Sequence, residues 1–173
     1  LRERIVATAR RMNALGINNG ASGNVSARTE GGFLVTPSGL PYEDLVPGDI
    51  VHLAMDGRAT GHRPPSSEWR FHLDICRTRP EAGAVVHTHS SYATTFACLG
   101  RAIPPFHYEV AFAGGPDIRC APYRPFGTQE LSDVAIEALH GRKACLLAQH
   151  GVIVLGKDLD DALRLADKVE ALA

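Results

Sequence analysis

Apolar residues recur at helical spacing in five segments of the chain. Gly16 follows the first stripe, and glycine commonly ends a helix at this position. A serine is the expected cap of the second helix, because serine side chains accept hydrogen bonds from the first helical N–H groups. The predicted helices are 1–15, the segment that follows Ser66 and Ser67, 90–99, 128–140 and the segment that follows Asp158.

Short β-prone runs lie between these helices. A Glu-Gly-Gly turn at 30–32 separates two of them and predicts a hairpin. The predicted strands are 25–28, 33–36, 49–53, 84–86, 108–113, 118–121, 144–149 and 152–155. Because hairpins and helical crossovers are mixed along the chain, we predict a single α/β domain over residues 1–173. We expect an α/β/α sandwich around a mixed, mainly antiparallel sheet.

Composition narrows the class of protein. Hydrophobic residues make up 45% of the 173 and charged residues 21%, the balance of a globular protein with one sizeable core. The formal net charge of −1 argues against a nucleic-acid or membrane partner, since both favour a basic excess. The four cysteines are widely spaced without a Cys-x-x-Cys pair, so we expect buried free thiols and a cytoplasmic protein.

Histidines offer a candidate metal site. His87 and His89 lie two residues apart at the end of an apolar strand, where alternate side chains share one face. His150 ends another apolar run, and Glu68 stands at the start of a helix, so these two residues can complete the set. Three imidazoles and one carboxylate are a familiar donor set for zinc. Each histidine alone has a structural interpretation, and we retain it for His52, His62, His72, His107 and His140.

Small polar residues offer a candidate phosphate site. Gly23 and Asn24, Ser38 and Gly39, and Ser66 and Ser67 form three short segments at strand ends or at a helix start. Backbone N–H groups and hydroxyls in such places bind anions well, but turn glycines and capping serines are also common without a ligand. Sequence spacing does not determine whether the three segments meet.

Several motifs together resemble those of the class II aldolase family of zinc-dependent aldolases and epimerases, and especially its fuculose-phosphate branch. They include Gly-Asn-Val-Ser at 23–26, Thr-Pro-Ser-Gly at 36–39, Pro-Ser-Ser-Glu-Trp-Arg-Phe-His at 65–72, His-Thr-His at 87–89 and Gln-His-Gly at 149–151. The resemblance covers nearly the whole chain. Glu68 favours an aldolase, since the similar epimerases carry aspartate there.

The resemblance implies a zinc ion held by Glu68, His87, His89 and His150, with Glu68 also moving the proton. It implies that Tyr108 reaches a neighbouring subunit's site and protonates the aldehyde oxygen, and that Phe126 lies at the aldehyde side of that site. The residues that it assigns to the substrate phosphate are Gly23, Asn24, Ser38, Gly39, Ser66 and Ser67. The expected assembly is a homotetramer with sites between subunits.

The expected reaction is cleavage of L-fuculose 1-phosphate, or a similar 1-phosphorylated ketose, to dihydroxyacetone phosphate and a small aldehyde. The sequence leaves open a 5-deoxypentulose-phosphate aldolase, a methylthioribulose-1-phosphate dehydratase and a non-catalytic scaffold protein. Members of the family carry a further C-terminal segment that closes over the aldehyde, and this chain stops at Ala173. The preferred ketose, the physiological direction and the metal used in the cell are not determined by these motifs.

Overall fold

Five α-helices form where the apolar stripes were predicted, in a computed structural model that describes residues 1–173. Thr128 and Asp158 cap two of them, since their side chains accept hydrogen bonds from the N–H groups of Leu131 and Asp161. The helices are α1 (Arg2–Ala14), α2 (Trp69–Thr78), α3 (Ser91–Cys98), α4 (Gln129–Ala138) and α5 (Leu159–Leu172). No helix is both long and apolar enough to cross a lipid bilayer.

Eight strands form one sheet in the order β4-β3-β2-β1-β5-β8-β7-β6. Only β6 and β7 are parallel neighbours, and all the other pairs are antiparallel. The strands are β1 (Asn24–Thr29), β2 (Gly32–Val35), β3 (Val51–Ala54), β4 (Ala59–Thr60), β5 (Ala84–Thr88), β6 (Arg119–Ala121), β7 (Ala144–Leu147) and β8 (Gly151–Gly156). The predicted α/β class and the mixed, mainly antiparallel sheet are confirmed.

Helices cover both faces of the sheet. On one face, α1, α3 and α5 pack against residues such as Val86 and Val154, and on the other, α2 and α4 pack against Val85 and Ile153. Successive side chains of a strand point to opposite faces, so His87 lies on the same face as Val85. There its ring contacts Phe71 of α2, with the ring centroids 5.5 Å apart. The predicted sandwich therefore places the end of β5 beneath α2.

One predicted strand is wrong. Residues Tyr108–Ala113 form a 3₁₀ helix, in which the ring of His107 accepts a hydrogen bond from the N–H of Glu109. Gly114 ends it in the left-handed conformation at φ 91°. The Tyr-x-Val-x-Phe pattern has the composition of a strand, but Tyr108 and Phe112 are exposed and no strand edge pairs with the segment.

Two smaller expectations also need correction. Glu68, and not a serine, occupies the cap position of α2, although the hydroxyl of Ser66 accepts a hydrogen bond from the Glu68 N–H. All four cysteines are free, as predicted, but only Cys76 and Cys145 are buried, whereas Cys98 is exposed. Apolar neighbours in sequence did not identify which cysteines face solvent.

Candidate metal and substrate site

His87 is fixed at the end of β5 by the register of the sheet. It lies opposite Asn24 of β1 and Ile153 of β8, and it is fully buried. Its Nδ1 atom lies 2.9 Å from the carbonyl oxygen of Val152. A carbonyl only accepts, so Nδ1 is the nitrogen that donates, and the lone pair of Nε2 is the one that can bind a metal ion.

Three further side chains approach this lone pair. His89 Nε2 lies 2.9 Å from His87 Nε2, and Glu68 Oε2 lies 3.1 Å from it on the α2 side. His150 Nε2 lies 3.2 Å from Glu68 Oε1. The four donor atoms are all within 4.8 Å of one another. The side chains predicted as a metal set thus converge, although they come from three separate parts of the chain.

The turn between β7 and β8 brings in His150. Gln149 adopts φ 58°, the only positive φ among the non-glycine residues, and this conformation ends β7 at Leu147, two residues before the predicted end. Gly151 follows, where a Cβ atom would lie 2.4 Å from the carbonyl oxygen of Thr88 and 2.8 Å from the ring of His89. Only glycine therefore permits this close approach of the turn to β5.

The electrostatics of the cluster favour neutral rings at His89 and His150 and an ionised carboxylate at Glu68. Burial lowers the pKa of His89 to about 3 and that of His150 to about 4. Burial raises the pKa of Glu68, but His87, His150 and a hydrogen bond from Asn24 outweigh it and lower the pKa to about 2. At neutral pH the centre of the cluster is therefore lined by electron-pair donors.

This donor set can hold a metal ion. Glu68 Oε1 is buried without a hydrogen-bond partner, since its contact with His150 Nε2 lacks hydrogen-bond geometry. Donors bound to a tetrahedral ion at about 2.0–2.2 Å lie about 3.3–3.6 Å apart, close to the separations seen here. A cation between the four groups would satisfy the free lone pairs, which otherwise repel one another.

Asn24 and His72 connect the cluster to the layer beneath it. Asn24 donates a hydrogen bond from Nδ2 to Glu68 Oε2 at 3.0 Å, and its Oδ1 lies 2.5 Å from His72 Nε2. His72 Nδ1 lies 2.7 Å from the hydroxyl of Ser26. These contacts connect His72, through Asn24, to the carboxylate of Glu68.

The three small-residue segments predicted to bind phosphate lie side by side. Thr36 N–H donates to the carbonyl of Val25, and Ser66 N–H donates to that of Thr36. Ser38 N–H donates to the carbonyl of Pro64. These bonds join the segments that carry Gly23 and Asn24, Ser38 and Gly39, and Ser66 and Ser67. Ser38, Gly39 and Ser67 are exposed, while the other three residues are buried.

A cavity of about 360 Å³ opens directly above the cluster. Glu68, His89 and His150 form part of its wall, and Phe126 and Ser67 also line it. Tyr108 is absent from this wall and lines a different surface groove beside Phe106. The lining residues that sequence reasoning missed are Ser22, Tyr123, Arg124 and Gln149. Arg124 lies between the quoted motifs, and no spacing rule identifies it.

Comparison with known proteins gives concordant results. Residues 3–173 match the model of the family described as Class II Aldolase and Adducin N-terminal domain. A 5-methylthioribulose-1-phosphate/5-deoxyribulose-1-phosphate aldolase from Rhodospirillum rubrum is 55% identical over 173 residues, which are 100% of this chain and 78% of that protein. An L-fuculose phosphate aldolase from Escherichia coli K12 is 47% identical, over 100% and 80%. A solved L-fuculose 1-phosphate aldolase superposes with a TM-score of 0.96 at 34% identity, over 99% of this chain and 82% of that one.

Proposed function

The chain belongs to the class II aldolase and adducin N-terminal domain family and is a class II aldolase, and from this premise we propose that it cleaves a 1-phosphorylated ketose to dihydroxyacetone phosphate and a small aldehyde. The observation that carries the proposal is the convergence of Glu68 with three histidines below an open cavity. A non-catalytic scaffold protein would have no need for this buried set of donors.

We propose 5-deoxypentulose 1-phosphates, including the 5-methylthio compound, as the preferred substrates, with L-fuculose 1-phosphate as the second candidate. The identity of 55% to the Rhodospirillum rubrum aldolase, against 47% to the fuculose phosphate aldolase, supports this order. The exposed rings of Tyr123 and Phe126 at the cavity offer an apolar surface to the terminal methyl or methylthio group that all of these substrates carry.

We propose zinc as the metal, held by Glu68, His87, His89 and His150. Neutral imidazoles and a carboxylate suit this ion, and Val152 orients His87 in the way that backbone carbonyls commonly orient zinc ligands. When bound, such an ion supplies Lewis-acid stabilisation of negative charge that develops beside a carbonyl group. The ion's identity can be checked by metal analysis of the purified protein.

The residues of the chain itself bind the substrate and move the proton. Glu68 is ionised and lines the cavity, so in condensation it can accept a proton from the dihydroxyacetone phosphate carbon, and in cleavage its protonated carboxyl returns that proton to the same carbon. The phosphate is proposed to bind to the predicted set: Gly23, Asn24, Ser38, Gly39, Ser66 and Ser67.

Arg124 is proposed as a further contact with the phosphate. It is the only lysine or arginine that lines the cavity, on whose wall Ser67 also lies. Its guanidinium donates only to the carbonyl of Tyr123 and has no carboxylate partner, so it is free to pair with a dianion.

Tyr108 is proposed to act in the site of a neighbouring subunit, where it protonates the aldehyde oxygen in condensation and takes the proton back from the same oxygen in cleavage. Its side chain is exposed and does not line the cavity of its own chain, which supports a role across an interface. Phe106 and Phe112 are exposed in the same region and would be covered in the proposed homotetramer.

The free cysteines support a reducing, cytoplasmic location.

An assay with three substrates tests the function. Zinc-loaded protein is incubated with 5-deoxyribulose 1-phosphate, 5-methylthioribulose 1-phosphate or L-fuculose 1-phosphate, and dihydroxyacetone phosphate is measured by coupled reduction. We expect cleavage of all three, fastest with the pentulose compounds, and loss of cleavage with a chelator or with Glu68→Gln. Loss of water without cleavage would identify a dehydratase instead. Release of no dihydroxyacetone phosphate from any substrate would refute the proposal.

A further inference from the structure

A buried chain of hydrogen bonds runs from Ser26 through His72 and Asn24 to Glu68, and we call these first three residues the relay. We propose that the relay orients the Glu68 carboxylate in the site, with Oε2 held by Asn24 and Oε1 turned toward His150. This inference rests on the proposed function, since it assigns roles to further residues of the same site. His72 and Ser26 do not line the cavity, so they are positioning residues.

The direction of every hydrogen bond in the relay follows from the one that Asn24 donates. Its amide Nδ2 donates to Glu68 Oε2, so its carbonyl oxygen faces His72. His72 Nε2 must then carry the proton, and Nδ1 of the neutral ring accepts from the hydroxyl of Ser26. One consistent arrangement satisfies all three residues, and a flipped Asn24 amide would break two bonds at once.

The fold holds the relay rigidly. Asn24 and Ser26 are two residues apart on β1, so both face α2 and both are 3% exposed. His72 is 1% exposed and lies against the ring of Phe71, with centroids 4.6 Å apart, and against that of Phe33 at 6.2 Å. Because packing fixes the imidazole from both sides, Asn24 has one orientation available to it.

The two oxygens of Glu68 are consequently inequivalent. Oε2 accepts from Asn24 and faces His87, whereas Oε1 has no hydrogen-bond partner although it is buried. The relay therefore fixes the rotation of the carboxylate, with Oε2 toward His87 and Oε1 toward His150.

The test uses His72→Phe, which keeps the ring and removes both nitrogens, and His72→Gln, which retains an N–H donor. We expect His72→Phe to lower kcat about 10- to 100-fold, with KM changed less than about threefold, and His72→Gln to recover part of the loss. Zinc affinity, measured by competition with a chromophoric chelator, should fall about tenfold in His72→Phe. Ile75→Val is the matched control, since Ile75 lies buried on the same helix and outside the relay, and it should leave kcat and zinc affinity unchanged.

Two further measurements separate positioning from general damage to the fold. Because the relay acts as a unit, combining His72→Phe with Asn24→Ala should lower kcat no further than Asn24→Ala alone. Long-range ¹H–¹⁵N spectra should show the Nε2–H tautomer of His72 in the wild-type protein. Wild-type kcat and zinc affinity in His72→Phe, an Nδ1–H tautomer, or additive losses in the double variant would each overturn the relay. If no ketose phosphate is cleaved, the proposed function fails, but the tautomer and the zinc competition still test the relay.

Discussion

The buried neutral His72 makes the stability of the protein sensitive to acid. Burial lowers the pKa of His72 from 6.5 to about 3 in the folded state. In the unfolded chain the same imidazole takes up a proton below pH 6.5, so unfolding binds a proton throughout the interval between these two values. Stability is therefore fully present above pH 6.5 and is lost as the pH falls toward 3.

The size of this effect follows from proton linkage. Between pH 7.5 and pH 5.0, a histidine with these two pKa values lowers the free energy of unfolding by about 2 kcal/mol. His89 and His150, whose pKa values are also lowered, add to the loss in the same direction. A domain of this size is commonly stable by about 5–15 kcal/mol, so the metal-free protein should approach unfolding near pH 5.

Urea denaturation at pH 7.5 and pH 5.0, followed by circular dichroism in the presence of a chelator, measures this loss. We expect the wild-type protein to lose about 2 kcal/mol more than His72→Gln between the two pH values. His140→Gln is the control, since His140 is exposed, and it should follow the wild type. Equal losses in the wild type and in His72→Gln would refute the reasoning, because they would mean that His72 titrates alike in both states.

Three further predictions concern the site itself. Gly151→Ala should destabilise the fold by about 1–3 kcal/mol and weaken zinc binding, because its Cβ atom would collide with Thr88. Gly48→Ala is the control, since a Cβ atom there has no atom within 4 Å, and it should change neither the thermal unfolding nor the zinc titration. Arg124→Met should raise KM for the phosphorylated substrate about 10-fold or more with a smaller change in kcat, and an unchanged KM in steady-state kinetics would contradict its contact with phosphate. Tyr108→Phe should lower kcat. If Tyr108 serves a neighbour's site, mixed Tyr108→Phe and Glu68→Gln subunits should be more active than either variant alone, and no such gain would contradict the assignment.

The sequence predicted the parts of the molecule that depend on local patterns. Helical stripes and capping residues such as Thr128 and Asp158 identified the helices, because caps and periodicity act within one or two turns. The spacing of His87 and His89 indicated a shared ion, since it follows from the geometry of extended backbone. The same reasoning failed at Tyr108–Ala113. The aromatic and β-branched residues of this segment favoured a strand, but it forms a 3₁₀ helix that ends at Gly114.

The relay could not be predicted, for a physical reason. His72 meets Asn24 and Ser26 across 48 and 46 residues of chain, and the meeting depends on how α2 packs over the sheet. A buried histidine on an amphipathic helix has the same sequence signature whether it fills space or orients a neighbour. Arg124 was missed similarly, because its place on the cavity wall depends on the path of the loop after β6.

The left-handed backbone of Gln149 implies a compromise between rigidity and chemistry at this turn. A side chain at φ 58° costs roughly 1–2 kcal/mol that glycine would avoid, so Gln149→Gly should raise the melting temperature. The amide that would be removed lines the cavity next to His150. Comparing the kcat of the more thermostable Gln149→Gly variant with that of the natural protein would thus measure how much turnover depends on the Gln149 side chain.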